Sequence, residues 1–253
     1  MPRVLAVVNQ KGGVGKTTTA VNLAAALAQA GKRVLLVDLD PQGNATMGSG
    51  VDKRTVSRTV YHALLGLGDL TTIRTRAEKG GYDLVPANRD LAGAEVELVE
   101  LPGRETRLRG ALERVAGEYD FILIDCPPSL SLLTLNGLAA AEKVLIPMQC
   151  EYYALEGLSD LVGTIKRVRA SLNPTLEIGG LVRTMFDPRN TLSQQVSREL
   201  ETHFGKKVYR TVVPRNVRLA EAPSYGVPAV LWDAGSKGAQ AYIALAGEVL
   251  EHA

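Results

Sequence analysis

Short apolar runs alternate with segments of helical spacing from the start of the chain. Residues 3–9 form an apolar run ahead of a glycine-rich turn, and residues 33–38 form a second apolar run. Between them, residues 17–30 are rich in Ala and Leu, with apolar positions at helical spacing. Together these segments predict one strand–helix–strand unit.

The same alternation returns in the second half of the chain. Three more apolar runs predict strands, each followed by a segment of helical spacing, and residues 237–251 predict a closing helix. The predicted strands are residues 119–125, 143–148 and 177–184, and the predicted helices are residues 131–141, 154–172 and 191–204. Continuous apolar strands separated by helices are typical of a parallel sheet covered on both faces. We therefore predict an α/β fold with a doubly wound, mostly parallel sheet.

The composition is that of an ordinary globular protein, since 45% of the 253 residues are hydrophobic and 22% are charged. No apolar run approaches the roughly 20 residues that span a bilayer. The first strand begins at once, which leaves no room for a signal peptide or an N-terminal helix-turn-helix. We expect a cytoplasmic protein with one domain at residues 1–253 and no membrane partner. Cys126 and Cys150 lack metal-site spacing and are expected in the core.

The glycine-rich turn after the first strand carries the chemistry. A loop of the form Gly-x-x-x-x-Gly-Lys-Ser/Thr between a strand and a helix surrounds phosphates with backbone N–H groups. This chain has Gln10 where the strict motif has its first glycine, and a lysine follows, so the loop is a variant P-loop. We expect it to bind ATP through Lys11, Gly12, Gly13, Val14, Gly15, Lys16, Thr17 and Thr18.

Carboxylates stand at the ends of two other predicted strands. Asp38 and Asp40 follow the run at 33–38, and Asp125 ends the run at 119–125. Ligands of an open α/β sheet lie beyond the carboxyl ends of its strands, so all three carboxylates are expected to face the P-loop. A single aspartate at a strand end is more often a helix cap or turn residue. Three of them around a P-loop favour a metal and catalytic site.

Each polar side chain has an expected role. Lys16 supplies a positive charge for the β and γ phosphates, and Thr17 supplies a hydroxyl for Mg²⁺. Asp125 is expected to hold Mg²⁺ through a water behind Thr17, and Asp40 to orient the attacking water. The predicted metal-site residues are thus Thr17, Asp40 and Asp125, whereas Asp38 is expected to fix its loop by hydrogen bonds.

The net charge of +2 is distributed unevenly. Residues 160–230 contain eleven Lys or Arg and six Asp or Glu, a balance of +5, so the remainder of the chain carries −3. Such asymmetry indicates either a polyanionic partner for one face or a solvated surface with scattered cations.

Several segments of the chain resemble one protein family. KGGVGKTT, DLDPQGN, FILIDCPPS, EYYALEGL and PRNVRLAEAPSYG are similar to the ParA/Soj partitioning ATPases, within the deviant Walker A group of P-loop NTPases. In that family, a lysine at the position of Lys11 reaches across a dimer interface to the partner's ATP, where it neutralises charge on the transferred phosphoryl group. The resemblance implies an ATP hydrolase that forms an ATP-dependent homodimer, with Lys11, Lys16 and Asp40 as catalytic residues.

The resemblance also implies partners for the basic half of the chain. Arg189 and Arg218 match residues that bind double-stranded DNA without sequence preference, which implies a nucleoid-associated protein, and a ParB-like protein would stimulate hydrolysis. Pro214 and Asn216 match an adenine-binding loop, and Glu151 matches a contact to the partner's nucleotide. The alternative interpretation of the two arginines is that they cap helices or form ion pairs with Asp187 and Glu221.

Two other functional classes are less well supported. A membrane-associated division ATPase of the MinD type would end in a basic amphipathic helix, but no Lys or Arg follows Lys237. An electron-transfer protein resembling the nitrogenase iron protein would need two thiolate ligands per subunit at a dimer axis. Cys126 and Cys150 do not lie in such a context.

Overall fold

A central eight-stranded sheet organises the chain in the computed structural model, which describes residues 1–252. The strands are β1 (Arg3–Val7), β2 (Val34–Asp38), β3 (Thr75–Ala77), β4 (Tyr82–Val85), β5 (Phe121–Asp125), β6 (Lys143–Gln149), β7 (Glu177–Phe186) and β8 (Val208–Pro214). The helices are α1 (Lys16–Gln29), α2 (Asn44–Gly48), α3 (Val60–Leu65), α4 (Leu70–Ile73), α5 (Leu91–Glu97), α6 (Arg107–Glu113), α7 (Leu132–Ala140), α8 (Ala154–Ser171), α9 (Thr191–Phe204), α10 (Val217–Glu221), α11 (Ala229–Trp232) and α12 (Lys237–Glu251).

The strand order in the sheet is β3-β4-β2-β5-β1-β6-β7-β8. Every neighbouring pair is parallel except β3 and β4. The order reverses at β1, so the carboxyl end of β1 is a topological switch point, where ligands of doubly wound sheets bind. The predicted α/β fold with a mostly parallel sheet is confirmed.

Every strand and helix predicted from the apolar pattern is present, with ends displaced by no more than two residues. The pattern did not predict β3, β4, β8, α2 to α6, α10 or α11. These elements have between three and seven residues. The strands among them lack the continuous apolar run of β1, β2 and β5, and the helices span too few turns to establish a period, so their structure depends on packing against the sheet.

Alternate residues of the central strands pack into two apolar layers. In β2, Leu35 and Val37 belong to the layer that includes α3, α5 and α6, whereas Val34 and Leu36 belong to the layer that includes α1 and α12. Side chains of a strand alternate between the faces of a sheet, so helices on both faces bury all of β2. This double burial explains why the strand is a continuous apolar run in the sequence.

The closing helix α12 is part of the second layer. Its buried face includes Tyr242, Leu245 and Val249, and Tyr242 hydrogen-bonds Thr19 of α1 at 3.0 Å between hydroxyl oxygens. No helix within residues 1–252 is both long enough and apolar enough to cross a membrane.

Helix α7 lies close to the ends of β2 and β5. A Cβ atom on Gly137 would lie 2.7 Å from Sγ of Cys126 and 3.3 Å from Cδ2 of Leu39, closer than side chains ordinarily pack in proteins. Cys126 follows Asp125 and Leu39 follows Asp38 in the chain. The close approach at Gly137 therefore helps to set where these two strand-end carboxylates lie.

Gly137→Ala should lower the free energy of unfolding by about 1–3 kcal/mol, because the added methyl group overpacks a buried contact. Gly163→Ala is the matched control, since Gly163 lies inside α8 and a Cβ there would meet no atom within 4 Å. The control should gain about 0.5–1 kcal/mol from helix propensity. Urea denaturation followed by circular dichroism measures both changes, and an equal effect of the two substitutions would contradict the close-packing argument.

Candidate functional site

The P-loop connects β1 to α1 and is held by the neighbouring strand end. Gly13 and Gly15 have φ angles of 74° and 87°, in the left-handed region that side chains with a Cβ rarely adopt. Thr184, near the end of β7, donates its hydroxyl to the carbonyl of Val14 at 2.7 Å. The loop is thus shaped by its glycines and fixed to the sheet by Thr184.

Lys16 places a buried ammonium group in this loop. The residue is 7% exposed, and its Nζ donates to the carbonyl of Lys11 at 2.9 Å. Burial lowers the pKa of Lys16, and the negative charges of Asp125 and Asp40 oppose that shift. An ammonium group has three donors, so Lys16 retains donors for phosphate oxygens.

Asp125 lies against the first turn of α1, as expected from the sequence. Its Oδ2 accepts a hydrogen bond from the hydroxyl of Thr17 at 2.7 Å. Its Oδ1 is buried and has no hydrogen-bond partner among the described residues. Burial raises the pKa of Asp125 well above its ordinary value, and the neighbouring charge of Asp38 adds to the shift.

Asp38 is paired in register with Asp125 on the adjacent strand. One of its oxygens accepts from the backbone N–H and the hydroxyl of Thr46, both at 2.7 Å, and the other accepts from the amide of Asp40 at 3.2 Å. Burial raises the pKa of Asp38 to about 6, although these hydrogen bonds favour the charged form. The prediction that Asp38 fixes its loop by hydrogen bonds is confirmed.

Asp40 lies on the wall of a cavity that opens beside the P-loop. It is 9% exposed, and its Oδ1 accepts from the amide of Gln42 at 2.9 Å. The cavity volume is about 500 Å³, a size that suits a small-molecule ligand. Residues from six parts of the chain line it, including Gly12, Gly13, Gly15, Lys16, Thr17, Thr18, Asp40, Pro128, Thr184, Pro214, Asn216 and Tyr242.

The structure thus brings together the P-loop and the segment predicted to bind adenine. Pro214 ends β8, and Asn216 caps α10 by accepting from the amide of Arg218 at 2.9 Å. The cap uses the Oδ1 atom of Asn216, so its NH₂ group is not used by the cap, and Asn216 belongs to the cavity lining. Phosphate-binding and base-binding residues therefore face one cavity, although they are about 200 residues apart in sequence.

Several cavity residues were missed by sequence reasoning. Thr184 and Met185 lie near the end of β7, and Tyr242 belongs to α12. Thr184 and Met185 could have been found from the sequence, because they lie at the carboxyl end of a predicted parallel strand, where ligands of such sheets bind. Met185 also has a φ angle of 48°, which is uncommon for a residue other than glycine and which only the fold reveals.

Lys11 and Glu151 form an ion pair within the same chain. Their side chains are 47% and 44% exposed, and neither belongs to the cavity lining. The ammonium of Lys11 thus points away from the phosphate-binding turn of its own loop, whose interior lysine is Lys16.

The two predicted DNA-binding arginines also carry carboxylate partners. Arg189 contacts both oxygens of Asp187 at 3.0 Å, and this carboxylate also accepts from the amide of Arg189. Arg218 lies in α10 and pairs with Glu221 and Asp233, each at 3.1 Å. The ion pairs with Asp187 and Glu221 are those of the alternative interpretation, yet both arginines remain on the protein surface.

The residues present fit a magnesium ion beside a nucleotide. The buried Oδ1 of Asp125 has no partner among the described residues, and the neighbouring hydroxyl of Thr17 is held in place by Oδ2 of the same carboxylate. Protein sites for nucleotide-bound Mg²⁺ typically supply one or two such oxygens, with water and phosphates completing the coordination. Within residues 1–252, no group of three or more His, Cys, Asp or Glu side chains could hold a metal ion.

The chain is similar over nearly its whole length to known proteins. Residues 2–178 match a family model described as an AAA domain. The chromosome partitioning protein ParA of Caulobacter vibrioides is 54% identical over 250 residues, which cover 98% of this chain and 94% of that relative. The chromosome-partitioning ATPase Soj of Thermus thermophilus is 56% identical over 248 residues, covering 98% of this chain and 95% of Soj.

A solved structure has the same fold. It is that of cobyrinic acid a,c-diamide synthase from Mycobacterium smegmatis with bound ADP and magnesium. The two proteins superimpose with a TM-score of 0.88 at 42% sequence identity, over 100% of this chain and 95% of the other.

Asp125→Asn should stabilise the protein without nucleotide. The folded-state pKa of Asp125 is raised, so the destabilisation is complete above that pKa and is lost as the pH falls from it to the unfolded-state pKa. An asparagine keeps an acceptor for Thr17 and removes the buried charge. We expect a gain of about 1–3 kcal/mol at pH 8 that shrinks towards pH 5.5, measured by urea denaturation.

Asp120→Asn is the control, for which the opposite change in stability is expected. Hydrogen bonds from Arg33 hold the pKa of Asp120 at about 2, so its charge stabilises the fold at every pH above the unfolded-state pKa. The substitution should lower stability at pH 5.5 and at pH 8 alike. A loss of stability in Asp125→Asn at pH 8 would show that the buried carboxylate is not a source of destabilisation.

Proposed function

This chain belongs to the ParA/Soj family of chromosome-partitioning ATPases, and we propose that it acts as an ATP-driven switch for DNA segregation. The chemistry is hydrolysis of ATP to ADP and phosphate with Mg²⁺. The observation that supports this most directly is the cavity in which Lys16, Thr17, Asp40 and the partnerless Oδ1 of Asp125 meet.

The geometry of the cavity supports a specific placement of ATP. The β and γ phosphates would lie on the P-loop, where backbone N–H groups and the buried ammonium of Lys16 oppose their charge. The base would lie towards Pro214 and Asn216, at the other side of the same cavity. Thr17 and Asp125 would hold Mg²⁺, which neutralises charge on the phosphate oxygens when bound.

Asp40 is the residue that we assign to the attacking water. A water that attacks the γ phosphorus must lie in line with the bond to the β-phosphate oxygen that breaks. Asp40 is fixed by the amide of Gln42, which leaves its second carboxylate oxygen to accept from that water. Positioning of this kind requires a fixed acceptor more than a strong base.

Lys11 completes the proposed site across a dimer. Its own loop already supplies Lys16 to the phosphates, and Lys11 is exposed and paired with Glu151 at the surface. In the proposed ATP-dependent homodimer, Lys11 of each subunit would leave Glu151 and neutralise charge on the partner's transferred phosphoryl group. The expected contact of Glu151 with the partner's nucleotide stays a prediction.

DNA and a second protein are the proposed partners. Arg189 and Arg218 lie on the basic part of the chain, and contacts to DNA phosphates would hold the dimer on any sequence. A ParB-like protein would then stimulate hydrolysis and release the subunits. The relatives support the general role in chromosome partitioning, and both partners are part of the proposal.

The packing disfavours the two alternative functions. The apolar face of α12 is buried against α1 and β8 rather than presented to a lipid surface, which argues against α12 as a MinD-type membrane anchor. Cys126 and Cys150 are both buried, and burial raises the pKa of each thiol, that of Cys150 to about 11. Such thiols are poor ligands for an iron-sulfur cluster, which needs accessible thiolates.

Substitution of the two P-loop lysines tests the proposed function. Lys16→Ala should lose ATP affinity by at least about tenfold, because the charge that faces the phosphates is removed. Lys11→Ala should bind ATP within a fewfold of the native protein but fail to dimerise or to hydrolyse ATP. Calorimetry, size-exclusion chromatography and phosphate release measure the three properties. Normal dimerisation and turnover in Lys11→Ala would refute the role across the interface.

Arg189→Ala and Arg218→Ala test the DNA surface. Each is present twice in a dimer, so each should lower the slope of log K against log[salt] by about 2 in magnitude if every copy neutralises one phosphate. Arg54→Ala is the matched control for Arg189, because Arg54 pairs with Asp52 two residues before it in the same way. Equal DNA affinity of native protein, control and both variants at several salt concentrations would show that these arginines form surface ion pairs only.

A further inference from the structure

We propose that Arg215 binds a phosphate group of DNA at the rim of the nucleotide cavity. The segment from Pro214 to Arg218 would then join the base-binding wall of the cavity to the DNA-binding surface. This inference rests on the proposed function, since it assumes that nucleotide fills the cavity and that the basic face meets DNA.

The position of Arg215 is set on both sides by structure that also serves the cavity. Pro214 is the last residue of β8, in register with Phe186 of β7, and Asn216 caps α10. Arg215 itself is exposed and belongs to the cavity lining, together with both of its neighbours. A short, fixed segment therefore presents this guanidinium at the cavity rim.

The charge of Arg215 differs from that of the two arginines already considered. Arg189 and Arg218 each have a carboxylate partner within 3.1 Å. No carboxylate lies within ion-pair distance of Arg215 among residues 1–252. A phosphate that meets Arg215 therefore gains a charge-assisted contact without first breaking an ion pair.

Arg215 lies on the same surface as Arg189. The pKa of Asp187 is lowered to about 2, chiefly by hydrogen bonds from Arg189, with a smaller contribution from the charge of Arg215. The two arginines are thus near enough to one carboxylate to act on it together. Phe186 is in register with Pro214, so Asp187 and Arg215 follow paired residues at neighbouring strand ends. Two guanidinium groups near a single carboxylate leave a net positive patch, which suits phosphates of a DNA strand.

The phosphate that Arg215 binds belongs either to the nucleotide or to DNA, because both carry the same chemical group. The phosphate end of the cavity is built by Lys16 and the P-loop glycines, whereas Arg215 lies between the two residues assigned to the base. The nucleotide would therefore turn its base, not its phosphates, towards this segment. DNA is the source that fits the position.

This arrangement adds a second reason for DNA binding to depend on ATP. A base held against Pro214 and Asn216 would restrict the segment that carries Arg215 and Arg218. Restricting the backbone that supports these side chains reduces the entropy cost of binding phosphates. Dimerisation would then double the number of basic side chains available to DNA, on a segment that the nucleotide had already ordered.

The experiment compares Arg215→Ala with Arg215→Lys and with Arg169→Ala. Arg169 is the matched control, an exposed arginine of α8 with no ion-pair partner among the described residues, near the end of the helix that precedes β7. Binding to two unrelated duplexes is measured by fluorescence anisotropy with ATP at several salt concentrations. ATP affinity is measured by calorimetry without DNA.

We expect Arg215→Ala to weaken DNA binding at 0.1 M salt by roughly eightfold for each phosphate that the arginine neutralises in the native dimer, equally for both duplexes. In Arg215→Ala, the slope of log K for DNA binding against log[salt] should decrease in magnitude by about 2 per dimer. Arg215→Lys should retain most of the native slope, and Arg169→Ala should match the native protein. A loss of DNA affinity that clearly exceeds any loss of ATP affinity supports DNA as the source of the phosphate.

Three results would overturn the proposal. A fall in ATP affinity of Arg215→Ala comparable to its fall in DNA affinity would assign the phosphate to the nucleotide. Native DNA binding by Arg215→Ala at every salt concentration would remove Arg215 from the surface and leave the proposed function intact. Failure of the native protein itself to bind DNA with ATP would overturn the proposed function, and this inference with it.

Discussion

The rest of the structure depends on a buried cluster of opposite charges at the carboxyl edge of the sheet. Lys16 is the cation of this cluster, Asp125 and Asp40 are the acids whose charges act on it, and Asp38 is the acid beside them. Burial opposes every charge in this cluster, because protein interiors solvate ions poorly. Three carboxylates and one ammonium leave an excess of negative charge that a divalent cation would offset. The cluster is thus costly to the fold in isolation and complementary to a magnesium nucleotide.

The remainder of the chain holds this cluster from both sides. On one side, Gly137 allows α7 to approach the residues that follow Asp38 and Asp125. On the other side, Asn22 of α1 accepts from the amide of Val230, which ties the P-loop helix to the C-terminal segment. A third contact is between backbones, since a Cβ on Gly50 would lie 2.7 Å from the carbonyl oxygen of Gly226. The chain just after α2 and the segment that follows α10 therefore pack without intervening side chains.

The sequence predicted the structure where the contacts that determine it join residues close in the chain, or where the apolar pattern is continuous or strongly periodic. Doubly buried strands such as β2 and β5 are continuous apolar runs, and the P-loop motif specifies its own backbone, so the fold and the phosphate site could be predicted. The pairing of Arg189 with Asp187 is also local, because the aspartate also accepts from the arginine's backbone amide two residues on. The ion pair of Lys11 with Glu151 joins residues 140 apart in sequence. The ion pair of Arg218 with Asp233 depends on how α10 packs near the end of α11. Neither leaves a pattern in the sequence, and the two-stranded edge of β3 and β4 is too short to leave one.

The surface ion pairs bear directly on how such a switch could work. Exposed pairs contribute little to stability, because water and salt screen them, so Glu151, Asp187 and Glu221 can release their partners at small cost. A polyphosphate or a DNA strand presents many charges at once and releases counterions as it binds, which a single carboxylate cannot match. The carboxylates therefore do not prevent these cations from binding phosphate. In the proposed switch they would lower the affinity of any one contact, so that binding would require several contacts together, and the proposed dimer would supply twice as many as a monomer.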